Sequence, residues 1–198
     1  MTNGPTTENT PARRRKALAA LLLVTVIWGA TFFWMKQALG VAEARLGEGS
    51  VLAASSLFLT LRFAIAALLL PVFLREARPL AGFTSGLFRS AGLLGVLFFA
   101  GFLIQMTALG DLTPAVSAFL TSLYVIFTAF LSLFFARHRH ISGSLLVGVV
   151  LATLGAAFIS GPPQLEFDRA EWMTVGSAFL FACTILVTDH ATRAHRPA

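Results

Sequence analysis

An all-α membrane protein with six transmembrane helices is the fold class this sequence predicts, on three observations. First, six apolar stretches divide the chain, at about Ala17–Leu39, Val51–Phe73, Ser90–Leu109, Pro114–Phe135, Ser142–Ser160 and Glu171–Thr188. Each approaches the roughly 20 mostly apolar residues that a spanning helix needs, and in hydrocarbon a helix satisfies its own backbone. Second, 57% of the 198 residues are apolar and only 12% charged, with a mean hydropathy of +0.80, outside soluble averages. Third, the connections alternate between basic and non-basic. Arg13, Arg14, Arg15 and Lys16 precede the first stretch, and Arg75, Arg78 and Arg89 lie in the second connection. Arg137 and Arg139 occupy the fourth, and Arg193 and Arg196 the C-terminal tail. Against these, Arg45 faces Glu43 and Glu48 in the first connection, Asp111 stands alone in the third, and Arg169 meets Glu166, Asp168 and Glu171 in the fifth. Eleven of fifteen basic residues therefore lie on one side, which the positive-inside rule makes cytoplasmic. Both termini are expected inside, in a plasma or bacterial inner membrane.

The net charge of +6 follows loop parity rather than forming one patch, so it reads as a topology signal and not as a nucleic-acid surface. Residues 1–16 are polar, carry Pro5 and Pro11, and read as a disordered cytoplasmic tail. The basic cluster before an apolar run also describes a secretory signal. The run from Ala17 to Met35 exceeds the roughly 7–15 residues of a signal core, so an uncleaved first helix is expected. Near its outer end stands Lys36, which either snorkels to the interface or guards the mouth of a cavity. Trp28 and Trp34 are packing residues or pocket walls.

Arg62 lies near the middle of the second stretch, where an ionised side chain costs about 2.5–3.5 kcal/mol. No stretch contains a mid-membrane carboxylate to pair with it. Either it faces the bundle interior or a wet cavity, near an anionic ligand or backbone carbonyls, or the helix is displaced and the side chain snorkels outward. The third stretch embeds Gln105. A tight turn, Gly110-Asp111-Leu112-Thr113-Pro114, then supplies Thr113 as a helix cap and Pro114 as a first helical residue. In the fourth stretch Ser117, Thr121 and Tyr124 fall at i, i+4 and i+7 and share one face, with Ser122 beside them. Such a face bonds to a neighbour or lines a pathway.

In the fifth stretch Gly148, Ala152, Gly155 and Ala156 recur at helical spacing, as expected where small residues let backbones approach in lipid. Gly161-Pro162-Pro163 ends that helix, and residues 161–170 form the longest external linker. Residues 171–198 hold the sixth stretch and a tail. There Trp172 reads as an interfacial anchor, and Cys183, the single cysteine, as a small packing residue. Across the linker, Trp28-Gly29-Ala30-Thr31-Phe32 can be laid over Phe181-Ala182-Cys183-Thr184-Ile185: aromatic, small, small, threonine, apolar. A five-helix unit would enter the membrane upside down the second time, the arrangement of inverted-repeat transporters.

Little points to bond-making chemistry. His138, His140, His190 and His195 lie near or beyond cytoplasmic ends of the stretches, and no GxSxG, HExxH or P-loop pattern occurs. Neither a metal site nor a cofactor is expected, and with no ATP-binding motif any transport depends on gradients or on a separate partner.

The run Ala108-Leu109 through Thr113-Pro114-Ala115-Val116-Ser117-Ala118-Phe119-Leu120-Thr121-Ser122-Leu123-Tyr124-Val125 resembles the EamA-like family of the drug/metabolite transporter superfamily. So do Trp28-Gly29-Ala30-Thr31-Phe32 with Lys36, Leu61-Arg62-Phe63, and the Gly148 and Gly155 pair. The resemblance covers residues 17–160, one whole five-helix repeat, and residues 171–193 resemble the opening helix of a second. It implies a ten-helix fold of two inverted repeats that exports or exchanges small metabolites through a central cavity. Two positions depart from the family pattern. Val125 stands where many members have proline, so a helix break is not implied there. Arg139 stands where many carry glutamate, so any gating role of that acid is absent or moved.

The expected function is secondary transport of a small metabolite or drug-like solute, with Arg62, Lys36, Trp28, Gln105, Ser117, Thr121 and Tyr124 as pathway candidates and Gly148, Ala152 and Gly155 as packing positions. The alternative is a membrane assembly subunit without transport of its own. Embedded Arg62 and the polar face favour the first, and a chain with one helix of a second repeat favours the second. The chain is expected to be an incomplete transporter, completed by a further half or a second copy, with lipid and a small solute as its other partners.

Overall fold

The computed structural model describes residues 11–47, 49–73, 85–135 and 168–194, with the helical positions 143, 147, 148, 150, 151, 154 and 158. Six helices are delimited in order: α1 Pro11–Leu46, α2 Val51–Phe73, α3 Ser85–Leu109, α4 Pro114–Ser122, α5 Tyr124–Phe135 and α6 Arg169–Ala194. Among the described residues, five helices are long and apolar enough to cross a membrane, with α4 and α5 joined as one of them. The predicted fifth stretch falls largely outside the described residues. Its described positions Val147, Val150, Leu151, Leu154 and Phe158 are helical and exposed.

α1 is longer than its apolar core. It spans 36 residues, about 54 Å at the α-helical rise, against a hydrocarbon layer of about 30 Å. It begins at Pro11, inside the stretch read from sequence as a disordered tail. Proline suits a first helical position, and the alanine, arginine and lysine residues after it are strong helix formers. At the other end Gly47 takes φ 85°, and its N–H donates to Glu43 O at 2.9 Å, closing the helix with a left-handed cap that favours glycine.

The α3–α4 turn follows its sequence signals. Thr113 caps α4 with extended torsions, its hydroxyl accepting from Val116 N–H at 3.3 Å, and Pro114 opens the helix. Leu123 separates α4 from α5 yet keeps right-handed helical torsions (φ −58°, ψ −16°). Its N–H donates to Leu120 O at 3.2 Å, and Phe127 N–H donates to Leu123 O at 3.0 Å. One tightened i→i+3 turn, not a break, marks the middle of this span.

Packing centres on α3, which contacts α1, α2, α4 and α6, while α6 also packs on α4 and α5. The core joins Phe32, Met35 and Leu39 of α1, Leu59 of α2, and Phe102, Met106 and Leu109 of α3. At the α3–α6 interface the buried faces are small: Gly101 on one side, Ser177, Ala178 and Ala182 on the other. A Cβ on Gly101 would lie 2.9 Å from the Phe181 ring, so this glycine permits the approach, as small residues do in lipid. Outer faces are apolar, with Leu22, Val26, Leu57 and Leu68 all exposed. A water-soluble monomer rarely carries so much contiguous apolar surface, and a bilayer accounts for it.

The small-residue stripe expected in the fifth stretch falls mostly outside the described residues. Gly148 is exposed, and a Cβ there would meet nothing within 4 Å, so among the described residues it draws no neighbour close. Ala152 and Gly155 lie outside the described residues. Among the described residues a small-residue contact occurs in α3, at Gly101.

Candidate functional site

Side chains of α1, α3, α4, α5 and α6 converge on a cavity of about 420 Å³, within the range of small-molecule sites. From α1 come Val24, Thr25, Trp28, Gly29 and Phe32; from α3, Phe98, Phe102 and Gln105. Ala118, Thr121 and Ser122 of α4, Tyr124 of α5, and Phe181, Thr184 and Ile185 of α6 complete it. The two matched pentapeptides, Trp28–Phe32 and Phe181–Ile185, thus both supply walls to one space.

The walls are aromatic and held by one another. Phe102 meets Phe98 edge-on with centroids 4.8 Å apart and Phe181 at 5.0 Å. Behind them Phe63 of α2 lies 5.9 Å from both Phe98 and Phe102. Such tilted and edge-to-face pairs add about 0.5–1.5 kcal/mol each beyond their burial, which favours a fixed wall.

The polar groups are anchored by local bonds. Gln105, 1% exposed, donates from Nε2 to Thr121 Oγ1 at 2.5 Å. Thr121 in turn donates to Ser117 O at 2.7 Å. The lining Ser and Thr hydroxyls besides Thr121 also spend their protons on their own helices: Thr25 on Leu21 O at 2.9 Å, Ser122 on Phe119 O at 2.6 Å, and Thr184 on Leu180 O at 2.9 Å. A hydroxyl carries one proton and two lone pairs, so each of these groups offers the cavity only an acceptor.

The sequence-derived candidates divide. Trp28, Gln105, Thr121 and Tyr124 line the cavity together. Ser117 shares the helix face but is fully buried behind it, its Oγ without a hydrogen-bond partner among the described residues. Arg62 is half-buried outside the lining, its guanidinium carbon 5.3 Å from the centre of the Phe102 ring. The cation thus stacks on a wall residue, a contact worth about 0.5–2 kcal/mol as burial increases, and no ion-pair partner accompanies it among the described residues.

Lys36 has a specific partner. Its Nζ donates to Leu109 O at 2.9 Å and Gly110 O at 2.5 Å, and it does not line the cavity. The last carbonyls of a helix have no partner within it, and a cation there also meets the negative end of the helix dipole. The ammonium therefore docks on the end of α3. Trp34 points outward, exposed.

Several lining residues carried no strong sequence signal. Phe98 and Phe102 are two of nineteen phenylalanines, and nothing local distinguishes them. Phe181 and Thr184 had a signal, the pentapeptide match, and the cavity gives that match a physical place.

A family model described as the EamA-like transporter family matches residues 15–161. An "uncharacterized transporter" of Archaeoglobus fulgidus is 29% identical over 189 residues, covering 93% of this chain and 53% of the relative. The chain thus spans about half the length of that curated relative. No solved structure matches the chain.

Proposed function

This chain belongs to the EamA-like transporter family, and from that membership we propose that it serves secondary, non-ATP-driven movement of a small metabolite or drug-like solute, as an exporter or exchanger. The observation that carries this reading is the cavity of about 420 Å³ among five helices. A multi-pass membrane protein has little reason to hold anchored polar groups facing a shared space unless something polar passes or binds there, since polar groups in hydrocarbon are costly without partners. Trp28, Gln105, Thr121 and Tyr124 contact the solute in this reading. Arg62 acts from behind Phe102, fixing that ring and adding positive charge to the wall.

Residues 17–160 form one five-helix repeat in this proposal, and residues 171–198 open a second. Alternating access in inverted-repeat carriers moves one repeat against the other around a site between them. The surface that would face α1 and α6 across the cavity, from a second copy or from the other half of such a fold, belongs to the same proposal. The membrane is the plasma or bacterial inner membrane, with both termini cytoplasmic.

The test compares solute distributions inside and outside cells that express the chain with those of cells expressing Thr184→Trp, which fills the cavity from α6. Expression of the wild-type chain shifts at least one small solute across the membrane. The variant reaches the membrane equally and shifts none. Identical profiles for the two, at matched membrane levels, refute the reading.

A further inference from the structure

We propose that the cavity takes a flat, neutral solute carrying an N–H or O–H donor, held by the amide oxygen of Gln105. The inference rests on the transport reading for its biological setting and on hydrogen-bond geometry for its chemistry.

An amide can point either end at a neighbour, and the network decides which. Thr121 gives its proton to Ser117 O, a carbonyl that can only accept. Thr121 Oγ1 must then accept from Gln105, and only the Gln105 NH2 can donate. The Gln105 carbonyl oxygen is thereby turned away from Thr121, and it has no hydrogen-bond partner among the described residues. Gln105 belongs to the cavity lining and is 99% buried by its 1% exposure. A fixed acceptor on a buried side chain, with no partner among the described residues, is open to a donor from outside the protein.

The rest of the cavity agrees. Its four Ser and Thr hydroxyls are proton-committed to their own helices, and so are acceptors too. The Trp28 indole, the Tyr124 hydroxyl and the second N–H of the Gln105 amide are the donors among the described lining groups, against the four hydroxyl acceptors and the Gln105 oxygen. Acceptors prevail, which disfavours an anion. A cation is disfavoured as well: no acidic residue lines the space among the described residues, and the Arg62 guanidinium already lies against Phe102 at 5.3 Å. Aromatic side chains in edge-to-face contact line the space, and a flat ring packs favourably on such side chains. A neutral donor satisfies all of these conditions.

The experiment uses the full 198-residue chain in lipid nanodiscs, with 2-naphthol and 2-methoxynaphthalene as probes. The two share a ring system and differ in the donor hydrogen. Binding is counted above that of protein-free nanodiscs, which removes partition into lipid. The wild-type chain binds 2-naphthol about tenfold more tightly than the ether, as loss of a hydrogen bond to a buried acceptor implies. N-methylquinolinium, a cation of the same shape, binds more weakly than 2-naphthol. In Gln105→Leu the naphthol preference falls to about one, and Gln105→Met, unbranched and close in volume, repeats the measurement if the leucine variant does not fold. Equal binding of the two naphthalenes to the wild-type chain, a preference that survives in a folded variant, a preference for the cation, or no saturable binding overturns the inference. The measurement needs no gradient. A chain that shows the preference but moves no solute keeps this inference and loses the transport reading, and solute movement without the preference does the reverse.

Discussion

A membrane interior makes individual polar residues expensive, so each one here has an identifiable partner or an identifiable debt. Lys36 spans from α1 to carbonyls 73 and 74 residues away and closes the end of α3. Lys36→Met removes both bonds while keeping the aliphatic stem, and should cost about 1–3 kcal/mol, read as a lower unfolding midpoint in detergent. A midpoint unchanged from wild type would show that the cap contributes nothing. Arg62 calls for a different experiment, because its contact is with a ring. Arg62→Ala should insert normally, since it removes a charge from the membrane interior, and should abolish solute movement by releasing Phe102. Arg62→Lys should recover only part of it, because a guanidinium stacks on an aromatic face in a way an ammonium does not. Normal movement in the alanine variant would remove Arg62 from the functional reading. Both residues were conspicuous in the sequence as charges in apolar surroundings. Their partners were not, because nothing local connects Lys36 to Gly110 or Arg62 to Phe102.

Among elements, the most extensive packing of α6 is against α3. Gly101 lies against Phe181 with too little room for a methyl group: an added Cβ would sit 2.9 Å from the ring. Gly101→Ala should therefore push the ring outward and destabilise the interface by about 1–3 kcal/mol, as overpacking does. Phe181→Leu, in the double variant, should absorb most of that cost. A double-mutant cycle with no coupling would place the strain elsewhere. The Gly148 stripe is visible in sequence as a periodic pattern, whereas Gly101, which makes a close approach among the described residues, belongs to no such pattern. Periodicity finds a face that can approach a partner. It does not find the partner.

For the whole molecule, the topology proposed from the basic connections puts residues 1–16 and the C-terminal tail in the cytoplasm and residues 161–170 outside. In a background with Cys183 replaced by Ser, a membrane-impermeant thiol reagent added to intact cells should label Gln164→Cys and leave Ala81→Cys unlabelled. The opposite pattern would invert the topology. This prediction belongs to the sequence, for a physical reason. Length, hydropathy and loop charge determine which segments enter lipid and which way they face, and each is a sum over neighbouring residues. The Thr113-Pro114 cap is equally local, and the structure places it where the residues predicted. What only the tertiary structure decided is which polar groups meet. The orientation of the Gln105 amide depends on a threonine one helix away that is itself committed to Ser117 O. The cavity exists because walls from α1 and α6, more than 130 residues apart in sequence, converge on α3. Insertion is governed by local sums, but a binding site is governed by directions and distances, and those arise only when the helices have packed.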